Sequence, residues 1–274
     1  MPERSLTAAR LIAILDLWQP RQDQPIGRSR PAQLRDSSMT AQPASTSAAA
    51  NFTGFPSEGL RFLRDLADNN NPDWFKPRRG DYDALVRGPM VALVADVLTL
   101  AAERRLPLTG EPEQAVFRIH RDIRFSRDKR PYKTHCGASL SRTGKKLAPG
   151  LLYIHIEPAG CFVAAGFWHP EPPLLHRLRQ RILTDPDRFL HVVRALDRGG
   201  MPIGPDDEAT KRLPRGCEPG QGTEVEPFLK HRSFIARRSL DEAETGSPGL
   251  PALLLDCFAA ARPLLDFGWD VADA

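Results

Sequence analysis

Apolar residues recur at intervals of three and four in several stretches after residue 56, which is typical of one face of a helix. A first helix is predicted to begin near Ser57 as N-cap and to end before Asn69. A second is predicted to begin near Asp81. The same spacing predicts further helices over 90–105, 172–183, 186–196 and 252–265, the last broken near Pro263.

A strict alternation of apolar and polar residues predicts strands between these helical regions. The clearest pair is 151–157 and 161–168, joined by the short turn 158–160, which is a typical hairpin length. Two further strands are predicted over 115–125 and 132–140. We interpret residues 241–251 as a loop, and the basic segments 211–216 and 228–234 as ordered connections or as neighbours of the main site.

These elements predict an α+β fold, in which an antiparallel β-meander sheet packs against helices in a single domain of residues 51–270. The apolar fraction of 41% is ordinary for a globular protein and supports a sizeable core.

The first 50 residues differ from the rest of the chain. Residues 6–18 have helical spacing, whereas residues 19–50 are mostly small, polar or Pro residues and predict disorder. The apolar runs are too short for a signal peptide or a membrane span. We expect residues 1–50 to be a disordered or mis-annotated extension, and we hypothesise that translation starts at Met39, which would make residues 1–38 an annotation artefact.

Positive charge is concentrated in one region. Residues 118–146 contain ten Lys or Arg and two Asp, a net charge of +8, whereas the whole chain carries +4. The remainder is therefore mildly acidic, and the basic region is the expected contact for an anionic partner.

If residues 117–125 are extended, their side chains alternate between two faces. One face is apolar except for Arg121, which would need a carboxylate partner on burial. The opposite face carries Arg118, His120, Asp122 and Arg124, which predicts contact with solvent or a ligand.

The segment from Arg118 to Tyr132, with the pattern R-x-x-R-D-x-R-F-x-x-x-K-x-P-Y, resembles the hallmark motif of the DUF2461 family. Other similar pieces extend over about 52–234: Phe52-x-Gly54-Phe55, Phe62-Leu63-x-x-Leu66, Asn69-Asn70, Asp73-Trp74-Phe75 and Tyr82. The resemblance implies bacterial and some fungal relatives, but no established activity, ligand or catalytic residue.

The motif supports a site for a small ligand that bears a phosphate or carboxylate, because Arg side chains bind such groups in a bidentate manner. The candidate anion-binding residues are Arg118, Arg121, Asp122, Arg124, Lys129, Tyr132 and Lys133. Asp122 and His120 are candidates for proton transfer. Pairing of the strands would add a polar face composed of His120, His135, Tyr153, His155 and Glu157.

Two other interpretations remain open. The local charge and the aromatic residues also suit a nucleic-acid-binding module, and the Arg and Asp residues also suit a purely structural ion-pair network. No metal-ligand spacing, phosphate-binding loop or dinucleotide fingerprint is present, so no metal or cofactor is expected. Four widely spaced cysteines predict free thiols in the cytoplasm, without membrane contact. The sequence names no reaction and no oligomeric state.

Overall fold

The structure, a computed structural model, describes residues 52–124 and 126–274. The predicted N-terminal extension of residues 1–50 lies outside the described residues, and so does Phe125 of the motif.

Four antiparallel strands form one sheet in the order β1-β2-β3-β4. They are β1 (Cys136–Ser141), β2 (Leu151–Ile156), β3 (Cys161–Phe167) and β4 (Phe234–Leu240). The register pairs Ala138 with Ile154 and Ile154 with Val163, so one face of the sheet is apolar across β1, β2 and β3. The predicted antiparallel meander and the α+β class are confirmed.

Helices cover the apolar face of the sheet and flank its edges. They are α1 (Ser57–Asp68), α2 (Pro72–Phe75), α3 (Arg79–Tyr82), α4 (Gly88–Glu103), α5 (Pro112–Ala115), α6 (Pro172–Thr184), α7 (Pro186–Arg198), α8 (Glu226–Leu229), α9 (Glu242–Thr245) and α10 (Leu250–Ala272). A 3₁₀ turn, Lys76–Arg78, and a π-helical turn, Asp83–Arg87, join α2, α3 and α4 into a continuous stretch. A further 3₁₀ turn spans Glu218–Gly220.

Helix α10 contacts β3 and β4 and also packs against α4 and α7. Leu254, Leu255, Phe258 and Leu265 on this helix are completely buried. The predicted break near Pro263 is wrong, because the helix continues to Ala272. The apolar residues beyond Pro263 are buried, and their burial offsets the cost of about 3 kcal/mol that proline brings to a helix interior.

Two of the predicted strands differ from those in the structure. Residues 115–124 form only isolated bridges, and the regular part of the next strand begins at Cys136. Strand β4 was not predicted, because the adjacent cations Arg237 and Arg238 obscure its alternation. The Arg238 guanidinium forms an ion pair with Glu244 at 2.5 Å. This ion pair allows Arg238 to lie on the same face of the sheet as Val163.

Helix boundaries also differ in two places. The second helical stretch begins at Pro72, where the Asn71 side chain accepts a hydrogen bond from the Trp74 amide, so Asp81 is not its cap. The predicted loop 241–251 contains α9, which Asp241 and Glu244 initiate through a reciprocal capping box.

The stretch Pro72–Glu103 is the one described helical segment whose length and apolar composition would suit a membrane span. Core helices of globular proteins meet the same criterion. Here Met90, Leu93, Val94 and Val97 are completely buried within the fold.

Gly268 allows α10 to approach the sheet closely. A Cβ at this position would lie 2.1 Å from the ring of the buried Phe167. We therefore expect Gly268→Ala to lower the free energy of unfolding by about 1–3 kcal/mol, since a filled core cannot accept another methyl group. Chemical denaturation measures this change.

Gly80 provides the matched control, because it lies in α3 with no atom within 4 Å of an added Cβ. Gly80→Ala should raise the stability by up to about 1 kcal/mol through helix propensity. Equal effects of the two substitutions would contradict the close packing assigned to Gly268.

Candidate functional site

The first half of the basic motif is held as an irregular antiparallel ribbon beside β1. The Phe117 amide donates to the Gly137 carbonyl at 2.9 Å, and the Lys133 amide donates to the Ile119 carbonyl at 2.8 Å. Bridges pair Val116 with Ala138 and, four residues on, His120 with Tyr132. The second side therefore contains two more residues than the first between the bridges, so the ribbon is bulged and does not form a regular strand.

A cleft of about 800 Å³ opens between this ribbon and the helical stretch that contains α2, α3 and the π-helical turn. Phe75, Tyr82 and Phe117 supply aromatic walls. A π-helical turn is uncommon and occurs frequently at functional sites. In this protein the turn contributes Asp83 and Arg87 to the cleft.

Cationic side chains outnumber acidic ones in the cleft. Five of its lining residues are Lys or Arg, and two are acidic; the cations are Arg79, Arg87, Arg118, Lys133 and Lys146. Arg79 lies 3.7 Å from Asp83 and Arg87 lies 3.6 Å from Glu113. The Arg118 side chain makes no ion pair with the residues that the structure describes, and it is exposed to solvent.

Lys133 is the most deeply buried cation of the cleft, with only 3% of its surface exposed. Its Nζ donates to the Arg118 carbonyl at 2.8 Å and lies 5.6 Å from the centroid of the Phe117 ring. No carboxylate of the described residues pairs with it. Burial, together with the nearby Arg118 and Lys146, lowers the pKa of Lys133 to about 7.

Lys146 approaches the same aromatic ring from the loop that follows β1. Its Nζ donates to the Val116 carbonyl at 2.7 Å and lies 4.8 Å from the centroid of the Phe117 ring. Burial, followed by the charge of Arg87, lowers the pKa of Lys146. Both ammonium groups therefore lie against the Phe117 ring, where cation–π attraction stabilises them. No carboxylate of the described residues pairs with either of them.

His120 lines the cleft near Arg118, as the predicted alternation requires. Partial burial lowers its pKa, and the charges of Arg79, Arg118 and Lys133 lower it further. The imidazole is therefore neutral at pH 7 and can accept a proton from a group bound in the cleft.

Other motif cations are paired within the protein. The Arg121 side chain, 10% exposed, donates to Asp128 at 2.8 Å and to the Arg130 carbonyl at 3.2 Å. Arg130 itself binds Asp128 at 2.7 Å. The buried guanidinium of Arg121 therefore has the carboxylate that its predicted position on the apolar face required.

The remaining predicted anion-binding residues lie outside the residues that line the cleft. Arg124 binds Asp122 at 2.6 Å on the surface, and Lys129 donates to the Ile123 carbonyl at 2.9 Å. Arg124 and the other cations near Asp122 lower the pKa of that carboxyl group to about 2. Tyr132 is buried, and its ring centroid lies 4.3 Å from that of Phe75.

Both backbone groups of Tyr132 are anchored to α1's C-terminal loop. Asn70 accepts from the Tyr132 amide at 3.0 Å and donates to its carbonyl at 2.9 Å. This two-point contact fixes the ribbon against the helical wall of the cleft.

The predicted polar face exists, but it forms a separate cluster on the sheet. Tyr153 Oη lies 3.1 Å from His155 Nδ1, and His155 Nε2 lies 3.3 Å from Glu157. The His135 ring lies 4.5 Å from the His155 ring, and burial keeps the pKa of His135 well below its ordinary value. The Phe117 ring, 6.1 Å from the Tyr153 ring between centroids, connects this cluster to the cleft, and the charge of Lys133 also contributes to lowering the pKa of His135.

The single constellation expected from strand pairing is therefore divided in two. The expectation assumed that residues 115–125 form a regular strand. The bulge interrupts the alternation of side chains, so the polar residues of the ribbon and those of the sheet do not share one continuous face. Arg118, His120 and Lys133 meet in the cleft, and His135, Tyr153, His155 and Glu157 meet on the sheet.

Sequence reasoning did not select Arg79, Arg87 or Lys146 as site residues. A signal for the first two was present, because Arg79, Asp83 and Arg87 follow one another at intervals of four and share a helix face. Lys146 is twenty-eight residues from Arg118 in sequence, and only the fold brings it to the cleft.

Among residues 52–124 and 126–274, no group of three His, Cys, Asp or Glu side chains is arranged to hold a metal ion. The four cysteines are buried and unpaired in the structure.

A protein-family model described as "Conserved hypothetical protein (DUF2461)" matches residues 58–267. The match includes the helical wall of the cleft, the ribbon and the whole sheet. No curated protein and no solved structure matches the chain.

Arg121 and Arg124 differ in burial although both are paired. We expect Arg121→Met to lower the free energy of unfolding by about 1–3 kcal/mol, because Asp128 loses a partly buried partner. Arg124→Met, which breaks an exposed pair, should change it little. Urea denaturation of both variants compares them, and a larger loss for Arg124→Met would contradict the structural role of Arg121.

Lys133 should reduce stability at neutral and acidic pH. Its pKa is about 7 in the folded protein and ordinarily 10.5, so the unfolded chain binds the extra proton between these values and wild-type stability rises with pH there. Lys133→Met should raise the free energy of unfolding by about 1–3 kcal/mol near pH 6 and by less near pH 10.

Denaturation of this variant at both pH values tests the assignment. Lys129→Met is the control, since the Lys129 side chain is exposed. A loss of stability in Lys133→Met at pH 6 would show that the ammonium group is a structural contact.

Proposed function

The chain belongs to the DUF2461 family, and we propose that its cleft binds a small ligand that carries a phosphate or carboxylate group. The observation that carries this proposal is the burial of Lys133 in the cleft without a carboxylate partner among the described residues. A buried, unpaired charge reduces stability. A bound anion would supply the missing partner.

The cationic groups are suitably arranged for such an anion. Lys133 and Lys146 both lie against the Phe117 ring, and Arg118 is exposed to solvent at the same cleft. A guanidinium can bind two oxygens of a phosphate or carboxylate, and an ammonium group can bind a third oxygen as a point charge.

The remaining walls suit the body of the ligand. The cleft volume, about 800 Å³, lies in the range of small-molecule sites. Phe75, Tyr82 and Val116 give it apolar surface, while Asp83 and Glu113 provide acceptors for hydroxyl or amino groups. These features support a metabolite with one anionic end and a partly apolar body.

A nucleic acid is the second candidate, favoured by the net charge of +8 in residues 118–146. Four of the ten cations in this region already form ion pairs within the protein, because Arg121 and Arg130 bind Asp128, Arg124 binds Asp122, and Arg142 binds Asp273. A cleft lined by the buried Lys133 and the half-buried Lys146 suits a small anion better than a long phosphate backbone, which needs exposed cations.

Sulfate is a suitable probe, because its charge is constant near neutral pH. We expect calorimetry to show saturable sulfate binding that Arg118→Gln weakens at least about tenfold, as loss of a charge-assisted contact predicts. Affinity should rise as the pH falls through about 7, since Lys133 becomes protonated there and a bound anion stabilises its charged form. Lys133→Met should remove this pH dependence.

Arg127→Gln is the matched control, because Arg127 is exposed in the same segment and does not line the cleft. Its affinity should equal that of the wild type. Equal weakening by Arg127→Gln and Arg118→Gln, together with tight binding of a short single-stranded RNA that falls steeply with salt, would favour the nucleic-acid alternative.

A further inference from the structure

A second cleft, of about 340 Å³, lies where α6 meets the chain that follows β3 and the chain that precedes β4. The basic segments 211–216 and 228–234, interpreted from sequence as connections or neighbours of the main site, meet here. Pro214 and Arg232 line this second cleft, and none of its lining residues is shared with the first.

Arg179 of α6 is the central cation of the second cleft. Only 9% of its surface is exposed. Its Nη2 donates to the His231 carbonyl at 2.7 Å, while its buried Nε has no hydrogen-bond partner. Nη1 makes no hydrogen bond within the part of the chain that the structure describes, and no carboxylate there forms an ion pair with Arg179.

Glu171 is the acidic residue among the described residues that line the cleft, and it is exposed, whereas two further acidic groups around the cleft have other partners. Asp206 attracts Arg179 electrostatically, but its carboxylate accepts the backbone amides of Arg232 and Ser233 at 2.5 and 3.0 Å. Glu208 lies 3.6 Å from His169 Nε2. The guanidinium therefore has lost water through burial, yet it has only one carbonyl contact in return, and burial lowers the pKa of Arg179.

A second cation stands beside Arg179 at this cleft. The Arg232 side chain is exposed and forms no ion pair with the described residues. Apolar surface surrounds the two guanidinium groups, contributed by Pro170, Pro172, Leu175 and Pro214. Thr210 supplies a hydroxyl group to the lining.

We propose that this second cleft binds a small carboxylate with a short apolar body, clamped by Arg179 and Arg232. The carboxylate would accept hydrogen bonds from the outward edge of the Arg179 guanidinium and from Arg232, and the apolar body would contact the prolines and Leu175. The modest volume and the apolar walls favour a carboxylic acid of a few carbon atoms over a phosphorylated metabolite.

Isovalerate is the probe, titrated into the full chain by calorimetry or by chemical-shift perturbation. We expect saturable binding, weakened at least about tenfold by Arg179→Gln and by Arg232→Gln. Arg179→Lys should also weaken binding, because an ammonium group lacks the planar fork. Arg232→Gln keeps the test valid if Arg179→Gln fails to fold, since Arg232 is exposed.

Arg177→Gln, on the same helix and exposed, is the control for general loss of charge and should bind isovalerate like the wild type. The titrations are made in an Arg118→Gln background, because the first cleft is also proposed to bind carboxylates and phosphates; in this background isovalerate should still bind at the second cleft. Equal weakening by Arg177→Gln, absence of isovalerate binding, phosphate affinity equal to that of isovalerate, or no saturation below about 10 mM would each overturn the proposal in this background.

Discussion

The hydrogen-bonded pairing of residues 116–121 with residues 131–138 is the interaction on which the main cleft depends. It joins the basic motif to the edge of the sheet through the Phe117 amide and the Gly137 carbonyl. Asn70 then attaches the same ribbon to the helical wall at Tyr132. Lys133 lies in the bulge between the two bridges, where it is buried and bonded to the Arg118 carbonyl. A local irregularity of the backbone thus places a charged group in the cleft, which a regular strand would not do.

The basic motif serves two physical purposes. Arg121, Asp128 and Arg130 form a network that stabilises the turn after the ribbon, and its carboxylate satisfies a nearly buried guanidinium. Arg118 and Lys133, by contrast, face a cleft whose positive charges exceed its negative ones. The structural and ligand-binding interpretations of the motif are therefore compatible, because they concern different residues of the same segment.

The two clefts share one principle. In each, a long cationic side chain is buried against a backbone carbonyl, Lys133 on Arg118 and Arg179 on His231, without a carboxylate partner among the described residues. A single carbonyl replaces only part of the hydration that such a group loses. An anion from outside the chain would offset the free-energy cost of burying each cation. This is the common basis of both proposals.

The sequence by itself determined the long helices α1, α4, α6 and α7, the β2–β3 hairpin, the α+β class and the need of Arg121 for a carboxylate, because these follow from local periodicity and from the cost of burying a charge. It also placed Arg118, His120 and Lys133 among the candidates. Only the tertiary structure separated them from the sheet cluster of His155 and brought Arg79, Arg87 and Lys146 to the cleft. Contacts between residues distant in sequence decide where the ribbon is bulged, which strands pair and which cations are buried. Periodicity along the chain does not encode these contacts.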